Sequence, residues 1–178
     1  MLAISLIAPQ NGMDVRLMRY PDIYGDKIVF TYASDLWLVT TKGGIARRLT
    51  SHPGTEFRAK FSPDGKWIAF SGQYDGDYDV YVMPSEGGEP KRLTYDNGPD
   101  LVTNWTPDGK IAFVTDREHV RPDIVGLWEV SPDGGLPTKT DVHEAYDVSF
   151  SPDGRTIAYN RVSSQNFNWR HYRGGTQG

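Results

Sequence analysis

Apolar runs four to six residues long recur along the chain, separated by clusters of proline, aspartate, glycine and serine. The clearest stretch is Phe61-Ser62-Pro63-Asp64-Gly65-Lys66-Trp67-Ile68-Ala69-Phe70. It returns as Trp105-Thr106-Pro107-Asp108-Gly109-Lys110-Ile111-Ala112-Phe113 and as Phe150-Ser151-Pro152-Asp153-Gly154-Arg155-Thr156-Ile157-Ala158-Tyr159, with the prolines 44 and 45 residues apart. Proline presets φ in a β-turn, aspartate closes the turn through its carboxylate, and glycine takes the position at φ > 0. The pattern predicts a strand entering and a strand leaving each turn. A strand-built repeat of this period predicts an all-β fold of propeller blades, each of four antiparallel strands.

The other segments keep the same register. Asp79-Val80-Tyr81-Val82-Met83 follows Asp35-Leu36-Trp37-Leu38-Val39 by 44 residues. Gly87-Gly88 follows Gly43-Gly44, and Lys91-Arg92-Leu93-Thr94 follows Arg47-Arg48-Leu49-Thr50, at the same offset. The units predicted are 17–50, 57–94, 101–140 and an incomplete 146–178, or about three and a half blades within 17–178, after a leader at 1–16. In the third unit the extra residues fall in the polar connection 116–123. Second and third strands such as Trp67-Ile68-Ala69-Phe70 are apolar on both faces, as in sheets stacked face to face. Fourth strands carry Arg47-Arg48 or Pro90-Lys91-Arg92, which suits an exposed outer rim. The first strands then line a central channel.

Propellers close with about four to eight blades. An open arc leaves two apolar blade faces bare, each large enough to favour association. The expectation is a fragment of a longer protein, closed by the missing remainder of its own chain. The alternatives are pairing with another copy, or N-terminal residues that complete a small ring.

Composition narrows the function. With 19 Lys and Arg against 23 Asp and Glu, the net charge is −4 and no long basic block occurs, which argues against nucleic acid as a partner. The chain has no cysteine, so disulfides and thiolate metal sites are excluded. The apolar stretch Leu2–Ala8 is far shorter than the ~20 residues of a membrane span, so no membrane partner is expected. Lacking a basic start, it is either the remnant of a signal peptide or a disordered or strand-forming leader.

Chemical motifs are few. Asp75, Asp77, Asp79 and Glu86 have the acidic spacing of a calcium loop, but Val80 stands where that loop needs glycine. His52, His119, His143 and His171 are scattered, and His143-Glu144 lacks the second histidine of a zinc helix. No nucleophile elbow occurs, and Ser62 and Ser151 precede turn prolines. No catalytic residue, metal or cofactor is therefore expected. Asn104-Trp105-Thr106 is a glycosylation pattern on a predicted inner strand. Candidate channel-lining residues are Arg58, Lys60, Asn104, Asp147 and Ser149, with Val102 at an equivalent offset. Two cations on one inner strand could attract peptide carboxylates.

Taken with the Pro-Asp-Gly repeats, several segments resemble the propeller of tricorn-type proteases. They are Arg19-Tyr20-Pro21-Asp22-Ile23, Arg48-Leu49-Thr50-Ser51-His52-Pro53-Gly54, Gly72-Gln73-Tyr74-Asp75-Gly76, Glu86–Thr94 and Trp169–Gly175. The turn repeat alone is shared with TolB-like proteins and prolyl-oligopeptidase relatives; the Ser-His-Pro-Gly and Arg-Gly-Gly segments narrow the likeness to tricorn. The resemblance implies the non-catalytic propeller of a large serine peptidase, a sieve or route for short peptides, with the second propeller, PDZ module and catalytic region outside this sequence. It also implies export to the periplasm through a leader, with the cytoplasm as the alternative. A TolB-like or WD-type interaction propeller without enzyme activity is the competing expectation.

Overall fold

The structure is a computed structural model and describes residues 17–118 and 125–161. The apolar leader, the Arg-Gly-Gly segment and most of the third-unit insertion lie outside the described residues. Three four-stranded antiparallel meanders follow one another, and a two-stranded sheet comes last. The first sheet comprises β1 (Arg19–Tyr24), β2 (Lys27–Tyr32), β3 (Asp35–Thr40) and β4 (Arg47–Arg48). The second comprises β5 (Glu56–Phe61), β6 (Trp67–Asp75), β7 (Asp77–Pro84) and β8 (Lys91–Arg92). The third comprises β9 (Leu101–Trp105), β10 (Ile111–Thr115), β11 (Gly126–Val130) and β12 (Thr138–Lys139); β13 (Val148–Phe150) and β14 (Ile157–Tyr159) form the fourth. The all-β partial propeller expected from the repeat is the observed fold. No helix among the described residues is long and apolar enough to cross a membrane.

The repeated turn works as its residue types require. Gly65 N–H donates to the Ser62 carbonyl at 2.8 Å, and the Ser62 hydroxyl donates to Asp64 Oδ1 at 2.6 Å. Asp64 Oδ1 also accepts from Lys66 N–H, and Ser62 Oγ accepts from Trp67 N–H. Ser151, Asp153, Arg155 and Thr156 repeat this set. Gly65, Gly109 and Gly154 all adopt positive φ, the conformation that excludes most side chains.

Residues two apart along a strand point to the same face, so neighbouring positions enter different cores. Ile68 and Phe70 pack with Val29, Leu36, Leu38, Phe61 and Met83 between the first and second sheets. Ala69 between them faces the other way, joining Val80, Val82, Val102, Ile111, Phe113 and Trp128 between the second and third. Ala112, Val114 and Leu127 meet Ala145 and Val148 at the third junction. Trp67 departs from the expected double coverage: it is 43% exposed, because it starts β6 opposite Pro84 at the end of the hairpin. The Val102 side chain is fully buried in a sheet-to-sheet core, so it lines no channel.

A repeated polar cluster lies at the first two sheet junctions. In the first, Leu36 N–H donates to Thr50 Oγ1 at 2.9 Å, and Thr50 Oγ1 donates to Glu56 Oε2 at 3.0 Å. Arg48 holds Asp35 at 2.8 Å and the Thr50 carbonyl at 2.8 Å. In the second, Val80, Thr94, Arg92 and Asp79 take the places of Leu36, Thr50, Arg48 and Asp35, but Thr94 Oγ1 donates to Asp79 of its own sheet. The backbone N–H of Glu56, Asp100 and Ala145 donates to Ser34, Tyr78 and Val125 respectively, so these three residues are structural equivalents. The third junction thus has alanine where the first two have an acid. Its Thr140 hydroxyl turns to the Leu127 carbonyl instead.

Candidate functional site

The first strands β1, β5, β9 and β13 are neighbours in succession, so the residues that open each unit gather on one side of the sheets. Their course is set by bulges. Register shifts interrupt β1 between Arg19 and Asp22, and β5 between Phe57 and Lys60. A third shift interrupts the pairing of β9 with β10. Tyr20 and Arg58 have φ of 50° and 56°, left-handed values that a non-glycine residue adopts only under constraint. A bulge re-aims a side chain out of the regular alternation.

Arg58 uses that freedom to touch all four units. Its Nη1 lies 2.8 Å from Asp147 Oδ1, just ahead of β13, and 3.5 Å from the Val102 carbonyl on β9. The guanidinium carbon sits 5.9 Å from the Tyr20 ring centroid on β1 and 5.5 Å from that of Tyr146. The residue is 9% exposed. Its Nε–H has no hydrogen-bond partner among the described residues.

Lys60 is tied in the other direction. Its Nζ lies 3.2 Å from Asp22 Oδ1, and Asp22 Oδ2 accepts from Phe61 N–H at 2.9 Å. Asn104 Nδ2 donates to the Val148 carbonyl at 3.3 Å, which occupies the amide of the glycosylation pattern. Trp105 Nε1 donates to the Lys60 carbonyl at 2.9 Å. The contacts therefore join Arg58 with Asp147 directly, while Lys60 and Asn104 bridge to the first and fourth units. Ser149 stands apart: it is exposed on β13 and makes no side-chain hydrogen bond to another described residue. Each expected cation already faces a carboxylate, so the four charged groups together are electrically neutral.

Tyr20, Asp22 and Tyr146 belong to this arrangement and were not among the expected site residues. Asp22 lies 38 residues before Lys60 instead of 44, so repeat arithmetic passes over it. The calcium-like spacing resolves into structure of another kind: Asp77–Pro84 is a strand, and Arg92 holds Asp79 at 2.7 Å and Asp75 at 3.2 Å. Among the described residues, no group of three or more His, Asp or Glu side chains could hold a metal ion.

Buried acids line the sheet junctions. Glu56 is fully buried, and burial pushes its carboxyl from 4.5 up to about 7. The Thr50 and Tyr74 hydroxyls pull it back only partly, and Arg48 is already engaged by Asp35. Asp100 is also fully buried and raised by burial, but Arg117 lies 2.6 Å from it.

Three meandering sheets packed face to face, with their first strands side by side and short exposed fourth strands, define a segment of a β-propeller. The chain belongs to the family of the tricorn protease N-terminal β-propeller domain, whose model matches residues 15–178. The tricorn protease of Thermoplasma acidophilum is 33% identical over 189 residues, covering 91% of this chain and 16% of that protein. A crystal structure of the tricorn protease superimposes with a TM-score of 0.68 at 32% identity, over 78% of this chain and 14% of that one. A Tol-Pal system protein TolB of Francisella tularensis is 38% identical over 128 residues, 68% of this chain and 28% of that protein. The chain thus spans about a sixth of the tricorn proteases it matches.

Proposed function

We propose that this chain is the non-catalytic propeller portion of a tricorn-type serine peptidase, a sieve or route for short peptides whose hydrolysis takes place elsewhere in the parent protein. The observation that carries the reading is the first-strand surface, where Arg58 links all four units and charges are balanced pairwise. A neutral polar surface offers hydrogen bonds to a passing peptide backbone without holding it by net charge. Arg58, Lys60, Asn104, Asp147 and Ser149 are its proposed contacts, with Asp22 added. The open faces of the first and fourth units are proposed to be covered by the remainder of a longer chain or by a second copy. Export through the 1–16 leader belongs to the same reading.

The test is incubation of the purified chain with fluorescently labelled alanine-based peptides of four to twelve residues. Saturable binding by anisotropy, with peptides intact by mass spectrometry, is expected. Cleavage by the chain alone, or no binding to any of them, overturns the reading. The TolB match supports a second reading, an interaction propeller. That reading predicts retention of a folded protein and no peptide binding.

A further inference from the structure

Between the first two sheets, at the end opposite the β1–β2 and β5–β6 hairpin turns, lies a cavity of about 310 Å³. Its aromatic wall is continuous. Tyr20 and Phe57 have ring centroids 5.5 Å apart, and Phe57 meets Tyr78 edge-on at 4.9 Å. The β2–β3 turn closes one side. Ala33 and Ser34 both adopt positive φ there, and the Ser34 carbonyl is held by Glu56 N–H at 2.8 Å. Thr31 also lines the cavity; it is 7% exposed, and its hydroxyl has no hydrogen-bond partner among the described residues. A buried hydroxyl without a partner is rare in a folded protein.

The charge of the wall decides what it can take. Among the described lining residues, Arg19 is the one charged side chain, and neither aspartate nor glutamate is present. Aromatic rings alone would welcome a cation, but Arg19 opposes one. A pocket with rings on one side, an arginine among its lining residues and an unpartnered hydroxyl suits a ligand that is apolar at one end and anionic at the other. The volume is at the lower end for small-molecule sites, enough for a single large residue.

The geometry points to a binding site for an apolar amino-acid residue bearing a free carboxylate, its side chain against Tyr20, Phe57 and Tyr78 and its carboxylate at Arg19. This site shares Tyr20 with the first-strand contacts of Arg58, but it does not require that peptides pass along them. A peptide C-terminus and a free N-acyl amino acid share this chemistry.

The test is calorimetric titration of the full chain with N-acetyl-L-phenylalanine and with its amide. The acid is expected to bind at least roughly tenfold more tightly, the worth of a charge-assisted hydrogen bond. In Arg19→Gln, a change at an exposed residue, acid and amide are expected to bind within about twofold of each other. Thr55→Trp, which fills the cavity, is expected to abolish both. Equal binding of acid and amide to the unaltered chain, an acid preference that survives Arg19→Gln, or no binding of either ligand overturns the site. Titration with Ala-Ala-Phe distinguishes the sources. Binding as tight as that of N-acetylphenylalanine supports a peptide terminus; binding of N-acetylphenylalanine alone supports the free acylated amino acid. Loss of acid discrimination with peptide binding intact would separate failure of this site from failure of the peptide-route reading.

Discussion

The Glu56 clasp makes the junction of the first two sheets sensitive to pH. Its carboxyl moves from an ordinary 4.5 to about 7 on folding, chiefly through burial. The folded state therefore holds that proton about 3 kcal/mol more tightly than the unfolded chain does. Below pH 4.5 both states are protonated and the full contribution is present. Between 4.5 and 7 the unfolded chain releases its proton while the folded chain keeps it, so stability falls as pH rises. Above 7 the contribution is gone, and a carboxylate sits in the junction facing Asp35, with Arg48 committed to that aspartate. Glu56→Gln keeps the shape and can still accept from Thr50, but it does not titrate. The stability of Glu56→Gln relative to the parent is expected to climb by about 3 kcal/mol between pH 4.5 and pH 8. For a chain of this size that is a gain of roughly 6–12 °C in relative Tm. Urea and thermal unfolding of both proteins at four pH values, followed by circular dichroism, measure the difference, in which every other titrating group cancels. Two curves that run parallel within about 1 kcal/mol would show that burial does not hold the Glu56 proton.

Three further outcomes follow from individual contacts. Arg117→Met leaves the fully buried Asp100 without its cation and is expected to cost about 3–5 kcal/mol in urea unfolding; Arg117→Met with Asp100→Asn should recover much of that loss. Gly54→Ala would drive a methyl into the Gln73 carbonyl oxygen, on a residue anchored by its N–H to the Thr55 carbonyl at 3.0 Å, so a loss of about 1–3 kcal/mol or more is expected. Gly109→Ala meets nothing within 4 Å and should lose only about 1 kcal/mol, the cost of its positive φ; equal losses in the two alanine variants would refute the steric account. Arg58→Gln and Asp147→Asn, combined in a double-mutant cycle, should show a coupling of about 1 kcal/mol at low salt, because Asp147 is more than half exposed. A coupling near zero would mean that Arg58 is held by its tyrosines and the Val102 carbonyl alone.

The turns, the strands and their order were legible in the amino-acid sequence because they depend on local chemistry. Serine, proline, aspartate and glycine within four residues close their own hydrogen bonds, and a two-residue period sorts side chains to opposite faces wherever the strand lies. The 44-residue spacing also identified Arg48 with Arg92 and Thr50 with Thr94, since equivalent residues in stacked sheets meet equivalent neighbours. The tertiary structure alone decided what crosses between units. Arg58 reaches residues 38 to 89 positions away through a bulge whose left-handed backbone no residue preference announces. Asp22 faces Lys60 at an offset outside the repeat. Glu56 and Asp100 are equivalent in the chain, but Arg117 comes to Asp100, whereas among the described residues the arginine near Glu56, Arg48, is engaged by Asp35. Local pattern sets which face a side chain takes; the charge and the ring that it meets there depend on how the sheets pack.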